Sequence, residues 1–221
     1  MKPGVLLLHG FAGNRAEVAP LKDYLEARGY AVSSPVLAGH ESTRRDMARS
    51  KYSDWIASAR AAAEELGKHC DGTAIVGFST GGLIAARICA DAGARGIVFV
   101  NTPVRFWNAR QIVKNIFTRP GTYIKYYFTM CTDKPARSLI EFLRILSNSR
   151  PLFVGIKCPA LVIQSLDDDT VNPGSADHIH GKLTGEKGIV KYKSGGHQIF
   201  AGEAAEDVCR AIGEFLEGVF G

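Results

Sequence analysis

The chain has 221 residues, of which 46% are hydrophobic and 22% charged, and its formal net charge is +5. These values are typical of a globular protein, they exclude a disordered chain, and the length predicts one domain. The apolar run at residues 5–8 is shorter than a signal-peptide core, and nothing approaches the roughly 20 apolar residues of a membrane span. We therefore expect a soluble, cytoplasmic protein.

Along the chain, short apolar runs alternate with longer segments of helical periodicity, a pattern typical of a parallel sheet with helices on both faces. The predicted strands are residues 5–9, 31–35, 73–77, 96–100, 160–164 and 189–192. The predicted helices are residues 15–28, 53–66, 81–90, 174–182 and 203–219, and residues 37–51 are expected to form an open polar loop. Asn14 is the expected N-cap of the first helix, with Glu17 completing a capping box, and Ser53 is the expected cap of the second.

Residues 104–150 interrupt this alternation and carry nine basic residues against two acidic ones. The segment is too long for a plain connection, so it is either an inserted cap or disordered. Its aromatic residues favour a helical cap over a pocket: Phe106, Trp107, Phe117, Tyr123, Tyr126, Tyr127, Phe128 and Phe142. The basic charge could attract anionic substrates or a membrane surface, but a solvated helical surface is the favoured interpretation.

The strongest chemical signal is an apolar strand that ends on Gly77-Phe78-Ser79-Thr80-Gly81 directly before a predicted helix. In this context a G-x-S-x-G turn is strained, projects the serine hydroxyl above the sheet and leaves room where strand and helix approach. The helix N-terminus directs unsatisfied N–H groups toward the same point. A nucleotide-binding turn is the alternative, but the chain lacks the G-x-G-x-x-G and G-K-[ST] patterns. Ser79 is therefore the predicted nucleophile.

A serine nucleophile needs a base, and the base needs an orienting carboxylate. His197 lies in a glycine-flanked loop just beyond the last predicted strand, so it is the predicted base. Asp167, Asp168 and Asp169 follow the strand at residues 160–164 in a row. Because successive residues of a turn diverge, only one of them can point at the histidine, and their spacing does not decide which.

Together these motifs resemble the α/β-hydrolase superfamily, and more closely its small carboxylesterases and monoacylglycerol-lipase-like members. The resemblance covers nearly the whole chain except the segment at 104–150. The motifs that carry it are the H-G-F-A-G-N loop at residues 9–14, Gly39-His40, the Ser79 turn, the loop at residues 164–173 and the S-G-G-H segment at 194–197. An additional glycine before His197 departs from the family pattern. The two leading antiparallel strands of larger members are also missing.

The resemblance implies an α/β-hydrolase fold over residues 1–221, with a mostly parallel six-stranded sheet, helices on both faces and residues 104–150 inserted as a small helical cap. In the family register the acid is Asp168, four residues after the strand-end glutamine. The backbone N–H groups of Phe11 and Thr80 are the implied oxyanion donors. Phe78 and His40 are expected at the substrate pocket.

The implied activity is hydrolysis of short to medium acyl esters or monoacylglycerol-like substrates through an acyl-enzyme on Ser79, with no cofactor and no metal. A thioesterase or a C–C bond hydrolase would use the same triad, and a non-catalytic ligand-binding protein of this fold is a further alternative. Serine at position 79 argues against a dehalogenase or a dienelactone hydrolase. The expected partner is a small-molecule ester, with neither nucleic acid nor stable membrane insertion, and the oligomeric state is open.

Overall fold

The computed structural model of the protein describes residues 2–105 and 108–221, with all their side chains except those of Ala109, Tyr126 and residues 130–132. Of the aromatic residues expected to order the 104–150 segment, Phe106, Trp107 and the Tyr126 side chain lie outside the described residues.

A six-stranded sheet with the order β2-β1-β3-β4-β5-β6 forms the centre of the molecule. Every neighbouring pair is parallel, so the predicted sheet and all six predicted strands are confirmed. Its strands are β1 (Lys2–Leu8), β2 (Ala31–Ser33), β3 (Cys70–Phe78), β4 (Gly96–Val100), β5 (Ala160–Ser165) and β6 (Lys187–Tyr192). Because the strands are parallel, the loops that follow β1, β3, β5 and β6 all leave the sheet at the same edge.

Helices cover both faces of this sheet, as predicted. The α-helices of the described residues are α1 (Ala19–Glu26), α2 (Arg44–Arg49), α3 (Tyr52–Gly67), α4 (Thr80–Ile88), α5 (Ala109–Thr118), α6 (Pro120–Thr132), α7 (Ala136–Ser149), α8 (Gly174–Lys182) and α9 (Ala205–Phe220). Leu6 and Leu8 of β1 point into the core shared with α3, α4, α7 and α8. Val5 and Leu7 point into the core shared with α1 and α9, as the alternation of a strand requires. Among the described residues, no helix combines the length and the apolar character needed to cross a bilayer.

The predicted open loop at residues 37–51 is wrong in its second half, which forms α2. Thr43 caps this helix, since its Oγ1 accepts a hydrogen bond from the Asp46 amide at 3.2 Å. Met47 is buried, and its carbonyl accepts a hydrogen bond from Ser138 Oγ of α7 at 2.9 Å. A helix with one buried apolar residue leaves little periodicity in the sequence, so the pattern misses it.

Two of the predicted helix starts also differ. Helix α3 begins at Tyr52 rather than after Ser53, and the Asp54 carboxylate accepts a hydrogen bond from the Lys51 amide at 2.9 Å. Residues 15–18 form a 3-10 turn before α1, and Asn14 caps this turn by accepting a bond from the Ala16 amide. The predicted capping box is wrong, because the Glu17 carboxylate bonds the amide of Gly10 instead.

Most of the described residues between β4 and β5 are helical. Helix α7 packs against α2, α3 and α4 and places Phe142 and Ile145 in the core. Helices α5 and α6 pack against each other. They are tied to the loop after β5 by Asp169, whose Oδ2 accepts hydrogen bonds from Tyr127 Oη at 2.8 Å and Asn115 Nδ2 at 3.2 Å.

Candidate active site

Ser79 occupies a strained turn between β3 and α4. Its backbone has φ 52° and ψ −123°, a conformation that costs a non-glycine residue about 1–3 kcal/mol. The surrounding structure holds it there, since its amide donates to the Val100 carbonyl at 2.8 Å and its carbonyl accepts from the Gly82 amide at 3.0 Å. The fold thus supports a turn that presents this one side chain at the edge of the sheet.

The glycines on either side of Ser79 are required by close backbone approach. A Cβ atom at Gly77 would lie 2.4 Å from the Gly82 nitrogen, and one at Gly81 would lie 2.2 Å from the Leu8 carbonyl oxygen. Both distances are far inside van der Waals contact, so a side chain at either position would push the strand and the helix apart. The G-x-S-x-G spacing is therefore a steric requirement of this turn.

His197 and Asp168 form a hydrogen-bonded pair at the same edge. The His197 Nδ1–H donates to Asp168 Oδ2 at 2.9 Å, and the Asp168 side chain is fully buried. The other carboxylate oxygen, Oδ1, accepts hydrogen bonds from the Thr170 and Val171 amides, both at 2.8 Å. Backbone donors thus fix the carboxylate, and it in turn fixes the tautomer of the imidazole, leaving Nε2 as the basic nitrogen.

The pKa of His197 is raised above its ordinary value. Burial acts to lower it, but the negative charge of Asp168, the hydrogen bond to it and the more distant charge of Glu17 together outweigh the burial. Because His197 can accept a proton only when neutral, we expect the acid limb of a His197-dependent reaction at a higher pH than an ordinary histidine would give.

The three consecutive aspartates have separate partners. Asp167 Oδ1 accepts hydrogen bonds from Ser165 Oγ at 2.5 Å and from the Gly196 amide at 2.8 Å. Asp168 faces the His197 ring, while Asp169 faces α5 and α6. Asp167 therefore holds the loop that carries His197 (the histidine loop, residues 193–198). Asp168 contacts the imidazole, and Asp169 holds helices α5 and α6.

Asn101, directly after β4, is a site residue that the sequence reasoning missed. It is fully buried, and its Nδ2 donates to the carbonyls of Gly196 at 3.1 Å and His197 at 2.9 Å. Its Oδ1 accepts from the Ser165 amide at 2.9 Å. It thus joins the histidine loop to the end of β5. A polar residue directly after a buried strand, at the edge where the other site residues follow their strands, was the signal available.

The loop after β1 brings one unbonded amide toward this edge. The Gly10 amide donates to Glu17, the Ala12 amide to His40 Nε2 at 3.1 Å and the Gly13 amide to the Gly10 carbonyl. Within the described part of the chain, the Phe11 amide has no acceptor. Thr80 is the first residue of α4, so its amide also lacks an intrahelical acceptor.

A family model described as the alpha/beta hydrolase family matches residues 5–211. The chain belongs to the alpha/beta hydrolase family. The fold and the resemblance expected from its motifs are thereby confirmed.

Relatives of this alpha/beta hydrolase include esterases and lipases. It is 30% identical over 209 residues to a thermostable monoacylglycerol lipase of Bacillus sp. (strain H-257), covering 88% of this chain and 82% of the lipase. It is 26% identical over 225 residues to a carboxylesterase of Bacillus subtilis (strain 168), covering 96% of this chain and 92% of the carboxylesterase. Its fold is similar to a solved structure of a metagenome-derived lipolytic enzyme, with a TM-score of 0.81 and 24% identity over 98% of this chain and 94% of that one.

Two buried histidines brace the first loop of the hydrolase. His40 Nε2 accepts from the Ala12 amide, and His9 Nε2 accepts from the Leu37 amide at 3.4 Å, so both rings are neutral. Burial lowers the pKa of His9, and burial together with the neighbouring His9 lowers the pKa of His40 to about 4. His40 also borders a small cavity of about 160 Å³. Phe78 is buried and its ring packs against the His197 ring at a tilt of 39°, with centroids 5.3 Å apart. A direct substrate contact for either residue stays a prediction.

The hydrolase should lose stability as pH falls because of His40. Its native pKa, about 4, is below its ordinary value of 6.5, so the unfolded chain takes up the proton first. The contribution of neutral His40 to the free energy of unfolding is fully present above pH 6.5. It is lost as the pH falls toward 4, which lowers the free energy of unfolding by up to about 3 kcal/mol. Urea unfolding across this range measures it. His40→Gln keeps an acceptor for the Ala12 amide without titrating, so its pH dependence should be shallower, and an identical slope in both proteins would contradict the assignment.

Proposed function

We propose that the protein hydrolyses carboxylic esters through an acyl-enzyme on Ser79, acting on short to medium acyl esters or monoacylglycerol-like substrates. The observation that carries the proposal is the strained Ser79 turn at the same sheet edge as the His197–Asp168 pair. A serine nucleophile, a histidine base and a buried carboxylate that orients the histidine are the groups that acyl transfer requires.

In the first half of the reaction, Ser79 Oγ attacks the ester carbonyl carbon while His197 Nε2 takes the hydroxyl proton. Asp168 stabilises the imidazolium that forms. The amides of Phe11 and Thr80 donate to the oxyanion of the tetrahedral intermediate, and losing one such donor typically costs about 2.7–4 kcal/mol of barrier. The C–O bond to the alcohol then breaks, and His197 gives its proton to the leaving oxygen.

In the second half, water replaces the alcohol. His197 Nε2 takes a proton from the water, whose oxygen attacks the acyl carbon, and the bond to Ser79 Oγ breaks as the proton returns to the serine. The carboxylic acid leaves and the resting enzyme is restored. The chemistry uses only residues of this chain.

The proposed ester substrate is supported by the apolar surroundings of the first loop and by the relatives. The Phe11 ring stacks on Phe142 with centroids 5.2 Å apart and lies 5.7 Å from the Trp55 ring. Trp55 and Phe142 are buried, while Phe11 is only partly buried, so the Phe11 ring is the apolar surface that this cluster offers to an acyl chain. Membership of the family, together with esterase and lipase relatives, indicates an esterase- or lipase-type hydrolase.

The test combines active-site labelling with a substrate series. A fluorophosphonate probe should modify Ser79 in the folded protein, as located by peptide mass spectrometry. Nitrophenyl esters of increasing chain length, measured beside monoacylglycerols and acyl thioesters, should give the highest kcat/KM for an oxygen ester, in the ordinary enzyme range of about 10⁴–10⁸ M⁻¹s⁻¹. Failure to modify Ser79 would rule out the hydrolase mechanism, and a clear preference for thioesters would replace the ester proposal with a thioesterase.

A further inference from the structure

The carboxylate of Glu17 lies between two loops that are distant in the sequence. Its Oε2 accepts a hydrogen bond from the Gly10 amide at 2.9 Å, and its Oε1 accepts one from Gln198 Nε2 at 2.9 Å. The two partners belong to the loop after β1 and the loop after β6, on elements at different positions in the sheet. One half-buried side chain thus joins these loops directly.

The first loop is shaped to receive this carboxylate. A Cβ atom at Gly13 would lie 2.1 Å from Glu17 Oε2 and 2.5 Å from Oε1, so any other residue there would displace it. Among the described residues, no lysine or arginine forms an ion pair with Glu17. The carboxylate is held instead by the backbone amide of Gly10 and the side-chain amide of Gln198.

The two residues that bond Glu17 are each next in sequence to a residue with a role in the proposed reaction. Gly10 directly precedes Phe11, whose amide is a proposed oxyanion donor, and Gln198 directly follows His197. The Gln198 carbonyl also accepts from the Ala201 amide at 2.9 Å, which anchors that residue in the turn before α9. A shift of Glu17 would move the oxyanion donor and the base relative to each other.

We infer that Glu17 is a positioning residue that fixes the separation between the oxyanion loop and the histidine loop. The inference rests on the proposed function, because it assigns Glu17 a role in the same reaction. Glu17 bonds Gly10 and Gln198 rather than Ser79 or His197, and it acts through these two residues. In acyl transfer a displacement of about 1 Å between base and oxyanion donor can cost about a hundredfold in rate.

Glu17 also acts electrostatically on His197. The charged groups that influence this imidazole are Asp168 and Asp169 on the loop after β5 and Glu17 on the 3-10 turn before α1. All three are negative and favour the protonated ring. Removing the charge of Glu17 alone should therefore move the His197 titration to lower pH, which a purely structural role would leave unchanged.

Two substitutions separate position from charge. Glu17→Ala removes both hydrogen bonds and the charge, and should lower kcat per fluorophosphonate-titrated site by about 10- to 100-fold with little change in KM. Glu17→Gln keeps an acceptor for the Gly10 amide, and rotation of the Gln198 amide restores the second bond. It should therefore recover most of kcat while the acid limb of kcat/KM moves to lower pH. Glu26→Gln removes an exposed carboxylate of the adjacent α1 and should behave as the wild type.

Two measurements are independent of turnover. Hydrogen exchange of the Gly10 amide should be faster in Glu17→Ala than in the wild type, and NMR titration should show a lower pKa of His197 in Glu17→Gln. If the wild-type protein is not labelled at Ser79, the proposed function fails and these two measurements still decide the placement of Glu17. An unchanged kcat per titrated site in Glu17→Ala, or unchanged Gly10 exchange, would overturn the inference.

Discussion

Alanine in place of Ser79 is expected to lower kcat by about a millionfold, because no other group would accept the acyl chain. The fold should be retained, since the hydrogen bonds that hold the turn come from the backbone of Val100 and Gly82 rather than from the serine side chain. Ester turnover by the purified variant, measured beside its circular dichroism spectrum and melting temperature, tests both parts.

Glycine at the same position provides the matched control. Ser79→Gly should be equally inactive but more stable than Ser79→Ala by about 1 kcal/mol, because glycine adopts φ 52° without strain. This difference in stability would measure the backbone strain that a non-glycine residue carries at position 79. Retention of substantial turnover in either variant would mean that the acyl acceptor is another residue.

Asparagine in place of Asp168 is expected to lower kcat by about ten-thousandfold. The Thr170 and Val171 amides donate to Oδ1, so the asparagine oxygen is held there and its NH₂ group faces the His197 ring. That group donates to Nδ1, so the ring proton moves to Nε2 and the base loses its acceptor toward Ser79. The acid limb of the pH profile should also move to lower pH, because the charge of Asp168 that raises the pKa of His197 is lost.

The neighbouring aspartates are the controls for that result. Asp167→Asn should retain its contact to the Gly196 amide through the amide oxygen, and Asp169→Asn should loosen the attachment of α5 and α6 to the loop after β5. Neither removes the partner of the His197 ring, so both should keep kcat far above that of Asp168→Asn. If Asp169→Asn instead lowers kcat as strongly as is expected for Asp168→Asn, then Asp169 rather than Asp168 is the acid, and the assignment from the family pattern is wrong.

Much of the fold could be predicted because buried parallel strands appear as continuous apolar runs. The central strands β1, β3, β4 and β5 are of this kind, while helices α1, α3, α4, α8 and α9 are predicted from their helical periodicity. The proposed nucleophile and base could also be named from the residues, since Ser79 directly follows β3 and His197 lies in the loop after β6. Helix α2 could not be predicted from the sequence, because its one buried residue, Met47, leaves no periodic pattern of apolar residues.

The choice among the three aspartates came from family resemblance and not from their spacing. Their directions depend on hydrogen bonds made by the Thr170 and Val171 amides within the turn, and no local pattern encodes those. Glu17 was misread for a related reason. Its position three residues after Asn14 fits a capping box, but a partner 181 positions away, Gln198, competes for the carboxylate and only the folded chain brings it near.

The strand order also sets the time at which a newly made chain can first react. Synthesis proceeds from the N-terminus, so Ser79 is made before Asp168 and His197, which lie in the loops after β5 and β6. At ordinary elongation rates the ribosome needs roughly ten seconds to pass from the serine to the histidine. Because a domain generally folds as a unit, the proposed site can be complete only after the loop that follows β6 has been made.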